Sequence, residues 1–212
     1  MNVVYPIVRN SFRIAFLTAW RMRIIGDERV PRTGPLIVVA NHVSNLDPPV
    51  LGAATPRPLY FMAKAELFRM PLLGPLIWQL HAFPVDRAKG DISAIRRAVE
   101  VLKMGAAVGI FPEGGRNRDG QNRIHSGVAL LASLTGAPVL PVYIDGTRQR
   151  FSRITVVFGE PMTFSGVKIP VEDVLVRQAP GAETAKKARR EDLAKWADEV
   201  MARILALRGQ IE

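Results

Sequence analysis

The stretch Leu36-Ile37-Val38-Val39-Ala40-Asn41-His42-Val43-Ser44-Asn45-Leu46-Asp47-Pro48-Pro49 decides the fold of this chain. Leu36 to Ala40 is an unbroken apolar run rich in β-branched residues, the pattern of a strand covered on both faces. Strands of that kind belong to parallel sheets, with crossover helices on either side. Pro48 and Pro49 suit the first turn of a helix, and Asp47 is a good N-cap before them. The expected unit is therefore strand, tight turn, then a helix starting near Pro48.

Working outward, further strands are expected at Leu59 to Met62, Ala82 to Val85 (interrupted by Pro84), Ala106 to Phe111, Val139 to Ile144 and Ile154 to Phe158. Helical spacing lies between them: Ile92 to Met104, with Ile95, Val99 and Leu102 on one face, and Ser126 to Leu134. Strands alternating with helices predict an α/β fold, a mostly parallel central sheet flanked by helices. Ligands of such sheets gather beyond the carboxyl ends of the strands, where the polar motifs of this sequence fall.

With 212 residues the chain is long enough for one domain with a sizeable core. Hydrophobic residues at 48% and charged residues at 23% exclude a mainly disordered chain. Cysteine is absent, which removes disulfide frameworks, thiolate nucleophiles and cysteine-based zinc sites. The net charge of +10 suits an anionic partner, whether nucleic acid, anionic lipid or a phosphorylated substrate. Aromatic residues are only 7% and do not alternate with basic ones, which weighs against nucleic acid. His42, His81 and His125 lie far apart without a His-Glu-x-x-His pattern, so no metal site is expected.

The first 25 residues carry Arg9, Arg13, Arg21 and Arg23 and no acid. Val4, Val8, Phe12, Ala15, Phe16 and Ala19 recur at helical spacing, with Tyr5 and Trp20 near the two ends. The pattern predicts an N-terminal amphipathic helix over residues 1–24 lying in a membrane surface. The plainer alternative is a helix packed on the domain with its arginines in water. No stretch approaches the ~20 apolar residues of a spanning helix. The core is expected over residues 25–165. Residues 166–212 should form a linker around Gln178 to Ala182 and a helix packing on the core through Leu193, Trp196, Val200, Ile204 and Leu207. The run Lys186-Lys187-Ala188-Arg189-Arg190 before it is expected to be a solvated helix face.

Two strand ends carry chemistry. A turn after Ala40 can bring the Asp47 carboxylate back onto the His42 imidazole. A carboxylate on one ring nitrogen fixes the tautomer and leaves the other nitrogen free to take a proton. No serine nucleophile is then needed if the substrate brings its own hydroxyl. Taken alone, the same residues also suit a helix cap and a turn. The second strand end runs into Pro112-Glu113-Gly114-Gly115-Arg116-Asn117-Arg118-Asp119-Gly120, a Gly-rich loop whose amides and arginines suit phosphate. Gly115 and Gly120 have P-loop spacing, but Gln121 and Asn122 stand where Lys and Ser/Thr are required, which excludes nucleoside triphosphates. Lys64 and Arg87 follow two further strand candidates. With Arg116 they could form a phosphate pocket at the edge that carries His42. No Gly-x-Ser-x-Gly elbow is present, which counts against a lipase or thioesterase.

Together these motifs resemble the glycerolipid acyltransferases typified by bacterial 1-acylglycerol-3-phosphate acyltransferases. Asn41-His42 through Asp47 is similar to the family's His-x-x-x-x-Asp block. Phe83 through Arg87 is similar to its second block, Phe111-Pro112-Glu113-Gly114 with Arg116 to its third, and Val139-Leu140-Pro141-Val142 to its fourth. The four blocks stand in family order over about residues 25–165. Gly115 occupies a place usually held by Thr or Ser, and His125 one usually held by Lys. The resemblance implies acyl transfer from acyl-CoA or acyl-carrier protein to the hydroxyl of 1-acylglycerol-3-phosphate, giving phosphatidic acid. It implies His42 as general base, Asp47 as its orienting partner, and Arg87, Glu113, Gly114 and Arg116 on the acceptor; Lys64 is added on charge alone. It further implies no metal or other cofactor, no nucleic-acid partner, and a peripheral or monotopic position on the cytoplasmic side of a membrane. Another lysolipid, an amino-lipid or glycerol 3-phosphate is the alternative acceptor.

Overall fold

A computed structural model describes residues 4–85, 92–113, 126–149, 152–166, 168–169 and 183–211. In chain order the elements are α1 (Val4–Ala19), β1 (Arg23–Ile25), β2 (Leu36–Ala40), α2 (Asp47–Ala54), β3 (Leu59–Lys64), α3 (Leu73–Gln79), β4 (Phe83–Val85), α4 (Ile92–Lys103), β5 (Ala107–Ile110), α5 (Gly127–Thr135), β6 (Val139–Asp145), β7 (Thr155–Phe158) and α6 (Glu183–Ala206). Seven strands make a sheet in the order β1-β7-β6-β2-β5-β3-β4. From β6 to β4 all neighbours are parallel, whereas β7 is antiparallel to β6 and β1 runs with β7. The expected α/β architecture is therefore present, with β2 at its centre. The strand β1 was not expected, because three residues carry no readable periodicity.

The period-two alternation of β2 feeds two cores. Ile37 and Val39 join Val108, Leu102, Leu131 and Trp196 on the side covered by α4, α5 and α6. Leu36, Val38 and Ala40 join Val50, Leu51, Leu140 and Phe16 on the side covered by α1 and α2. Leu193, Trp196, Val200 and Ile204 are all buried, as their spacing requires of a packed helix. The region Gln178 to Ala182 lies outside the described residues, as do the side chains of Lys186 to Arg189.

Helix α1 forms as expected but packs on the domain through residues expected to lie outside. Tyr5 and Phe16 are buried against the domain, so Tyr5 does not flank the helix as an interfacial aromatic. Arg9 and Arg13 do not face water. Arg9 Nη2 donates to the Thr55 carbonyl at 2.8 Å, and Arg13 Nη1 to the carbonyls of Ala53 at 2.9 Å and Ala54 at 3.3 Å. These are the end carbonyls of α2, where a helix presents its negative pole. Burial lowers the pKa of Arg9 below its ordinary value. The face left outside is uncharged and partly apolar: Ile7 and Ile14 are each 63% exposed and Leu17 43%, with exposed Asn10, Ser11 and Thr18 between them.

Strand ends line up at one edge. Val39 is level with Ile110, Phe61 with Gly109, and Lys64 with Val85. Carried forward along parallel strands, this register sets Asn41, Pro112, Lys64 and Val85 side by side. Gly109 serves this edge by lacking a side chain. A Cβ there would lie 2.5 Å from the Phe61 ring. Phe61 therefore leans over β5 and stacks on Phe111, ring centroids 6.3 Å apart.

Candidate active site

His42 sits on the turn between β2 and α2. Asn41 fixes the start of that turn. Its amide nitrogen donates to the Ile144 carbonyl at 2.9 Å and its oxygen accepts the Ile144 amide at 2.8 Å. A side chain thus extends the β2–β6 ladder one residue past the strand, which gives a physical reason for asparagine here. Glu113, just past β5, braces the next residue by accepting the His42 backbone amide on Oε1 at 3.2 Å. The imidazole itself packs on Phe111, centroids 4.4 Å apart and tilted by 30°.

Asp47 is the first residue of α2, with Leu46 rather than Asp47 in the cap position. Its side chain turns back into the preceding loop. Oδ2 lies 2.9 Å from His42 Nδ1 and accepts the amides of Val43 and Ser44, each at 2.7 Å. Oδ1 accepts the Thr147 hydroxyl at 2.5 Å. The carboxylate is fully buried, and four donors offset the cost of taking its charge out of water. The turn amides and the helix start make this corner suited to an anion. The His42 side chain is 13% exposed. With Nδ1 turned to the carboxylate, Nε2 is the nitrogen left for a substrate.

Thr147 was not foreseen. It lies just after β6, past Gly146, whose φ of 81° and tight fit against the Arg153 carbonyl require glycine. A signal was present: a hydroxyl directly follows a turn glycine at the end of an expected strand, on the edge that carries His42. The fourth motif was read only through its apolar residues.

The remaining candidates separate. Lys64 ends β3 with its side chain exposed. It is on the His42 edge but two strands away, roughly 10 Å at ordinary strand spacing. Arg87, Gly114 and Arg116 lie outside the described residues, as do His125 and the Gly-rich loop from residue 115 onward. Among the described residues, the site consists of His42, Asp47, Thr147, Asn41, Glu113 and Phe111.

An open groove among the described residues lies elsewhere. A cavity of about 570 Å³ lined by Arg29, Pro141, Glu160, Trp196 and Arg203 lies against Pro141, near the start of β6 and thus at the opposite edge of the sheet.

Residues 21–145 match the family model described as Acyltransferase. The chain is 27% identical over 165 residues to a 1-acyl-sn-glycerol-3-phosphate acyltransferase of Bacillus subtilis (strain 168), covering 75% of this chain and 82% of the relative. It is 36% identical over 138 residues to a lyso-ornithine lipid O-acyltransferase of Pseudomonas aeruginosa, covering 64% of this chain and 52% of the relative. Among solved structures, the 1-acyl-sn-glycerophosphate (LPA) acyltransferase PlsC from Thermotoga maritima aligns with a TM-score of 0.64 at 28% identity, over 94% of this chain and 80% of that one.

Proposed function

The chain belongs to the Acyltransferase family, and on that premise we propose that it transfers a fatty acyl group from an acyl thioester to the free hydroxyl of 1-acylglycerol-3-phosphate, giving phosphatidic acid. The observation that carries the chemistry is the 2.9 Å contact between His42 Nδ1 and the buried Asp47 carboxylate. His42 Nε2 takes the hydroxyl proton. The alkoxide attacks the thioester carbonyl, an ester C–O bond forms, and the C–S bond breaks. The proton passes from the imidazolium to the departing thiolate. No acyl-enzyme forms, and no metal or other cofactor enters the steps. Glu113 holds the His42 backbone through one oxygen. Lys64, Arg87, Gly114 and Arg116 are assigned to the anionic acceptor by charge and motif.

The protein works, in this reading, from the face of a membrane. Among the described residues no helix is long and apolar enough to cross one. The outward, partly apolar face of α1 supports peripheral attachment, with acyl-CoA or acyl-carrier protein approaching from water.

The experiment is acyl transfer from a long-chain acyl-CoA, and separately from acyl-carrier protein, to 1-acylglycerol-3-phosphate in detergent. Phosphatidic acid is the expected product with at least one donor. A lysolipid with an amino-acid headgroup is the second acceptor to include, since the lyso-ornithine relative has the higher identity. Product from that acceptor alone would replace the first assignment, and free fatty acid without ester would replace transfer by hydrolysis.

Thr147 gives a sharper prediction for the same assay. A hydrogen bond to a charged group is worth ~1.5–3 kcal/mol. Thr147→Val should therefore lower kcat about tenfold to a hundredfold with little change in KM, whereas Thr147→Ser, which keeps the hydroxyl, should stay near wild type. Equal kcat in the valine variant would remove Thr147 from the machinery.

A further inference from the structure

After β3 the chain makes a 3-10 turn, Ala65–Arg69, and enters α3 through Met70-Pro71-Leu72. Leu72 is 90% exposed, Trp78 55% and Met70 48%. Three large apolar side chains on one short excursion are costly in water and mark a contact surface. Trp78 is held rather than loose, since its ring meets Phe68 edge-on with centroids 4.9 Å apart.

This knob is tied to α1. His81, just beyond α3, adopts a φ of 61° that is uncommon outside glycine. Its ring is sandwiched between Tyr5 of α1 and Tyr60 of β3, with centroids 4.7 Å apart on each side and planes within 12°. The Tyr5 hydroxyl in turn accepts the Leu59 amide at 3.1 Å. Burial lowers the His81 pKa, so the stack holds a neutral imidazole at neutral pH. The residue that follows α3 therefore lies against the beginning of α1. Charge around this surface is one-sided. Of the four arginines in the acid-free first 25 residues, Arg21 and Arg23 are exposed, and exposed Lys64 and Arg69 flank the knob with Glu66 as the acid between them.

We propose that Met70, Leu72 and Trp78 form a second lipid-inserting point that, together with the outer face of α1, seats the protein on an anionic bilayer. The proposal rests on the membrane reading above and adds to it. A single helix lying in an interface leaves the domain free to roll about the helix axis. A second contact locked to the first removes that freedom. Because the knob begins at Lys64, on the sheet edge that carries His42, it brings that edge toward the headgroups where a lysolipid hydroxyl lies.

The cysteine-free sequence allows a direct test, as any introduced cysteine is unique. Leu72→Cys, Ile14→Cys and, on the far side of the sheet, Lys103→Cys would each carry an environment-sensitive fluorophore. Each is mixed with vesicles of phosphatidylcholine containing phosphatidylglycerol, with brominated lipids as quenchers. The expected result is a blue shift and quenching at positions 72 and 14 but not at 103. Unlabelled Leu72→Glu should partition onto the vesicles about tenfold less or weaker still, while keeping wild-type acyl transfer in detergent. A water-like probe at 72 with an inserted probe at 14 overturns the knob and spares the membrane reading. Water-like probes at both overturn the knob and that reading together, and the detergent assay then judges acyl transfer by itself. A shift at 72 that depends on protein concentration without lipid overturns the proposal in favour of a second copy of the chain.

Discussion

Replacing His42 by alanine should lower acyl transfer by about 10²–10⁴-fold, the range general-base assistance supplies. The loss belongs to chemistry rather than folding. The bond that ties this residue to Glu113 is made by its backbone amide, which alanine keeps. Asn41 on one side and the Val43 and Ser44 amides on the other hold the turn without the imidazole. The variant should therefore melt close to wild type while product formation collapses. A His42→Ala protein that retains more than about a tenth of wild-type turnover would mean that the hydroxyl proton leaves by another route.

Asp47→Asn should cost about a thousandfold, for a reason specific to this geometry. Three donors point at Oδ2 and one, a hydroxyl, at Oδ1. An asparagine can place its oxygen where Oδ2 lies and its NH₂ toward Thr147, whose hydroxyl can turn and accept. The His42 tautomer and the turn are then preserved, and only the negative charge is lost. Two unit charges about 4 Å apart at an effective dielectric near 20 interact by ~4 kcal/mol, and that stabilisation of the imidazolium disappears. Asp47→Ala should be worse in a different way, because it strands the Val43 and Ser44 amides and destabilises the fold. Thermal melts together with kcat separate the two. An asparagine variant as active as wild type would show that the carboxylate positions His42 without acting through its charge.

The parts of this structure that were legible in the sequence are those where one physical pattern has one solution. Leu36 to Ala40 is apolar at every position because both faces of the strand are buried, and it forms β2 at the residues expected. The turn from Asn41 to Asp47 was readable because prolines set the helix start and the acid precedes them. Helix α1 was readable as a helix but not in its orientation. Periodicity sorts residues into faces without saying which face is turned inward, and the end carbonyls of α2 decide that by drawing in Arg9 and Arg13. Strand β1 and the Tyr5–His81–Tyr60 stack were invisible because they depend on partners distant in sequence. Thr147 was missed for the same reason: its role exists only in relation to a carboxylate on another strand end.

The Thr147–Asp47 contact joins residues 100 positions apart, and it has a consequence for how the protein is made. During synthesis His42, Asp47 and the first turn leave the ribosome well before Thr147 does. Until β6 has docked beside β2, the carboxylate lacks its last donor and Asn41 lacks Ile144. A nascent or nicked chain therefore carries the dyad without its bracing. Catalytic competence should arrive in step with closure of the centre of the sheet, so that activity regained on refolding reports a long-range pairing and not the local turn.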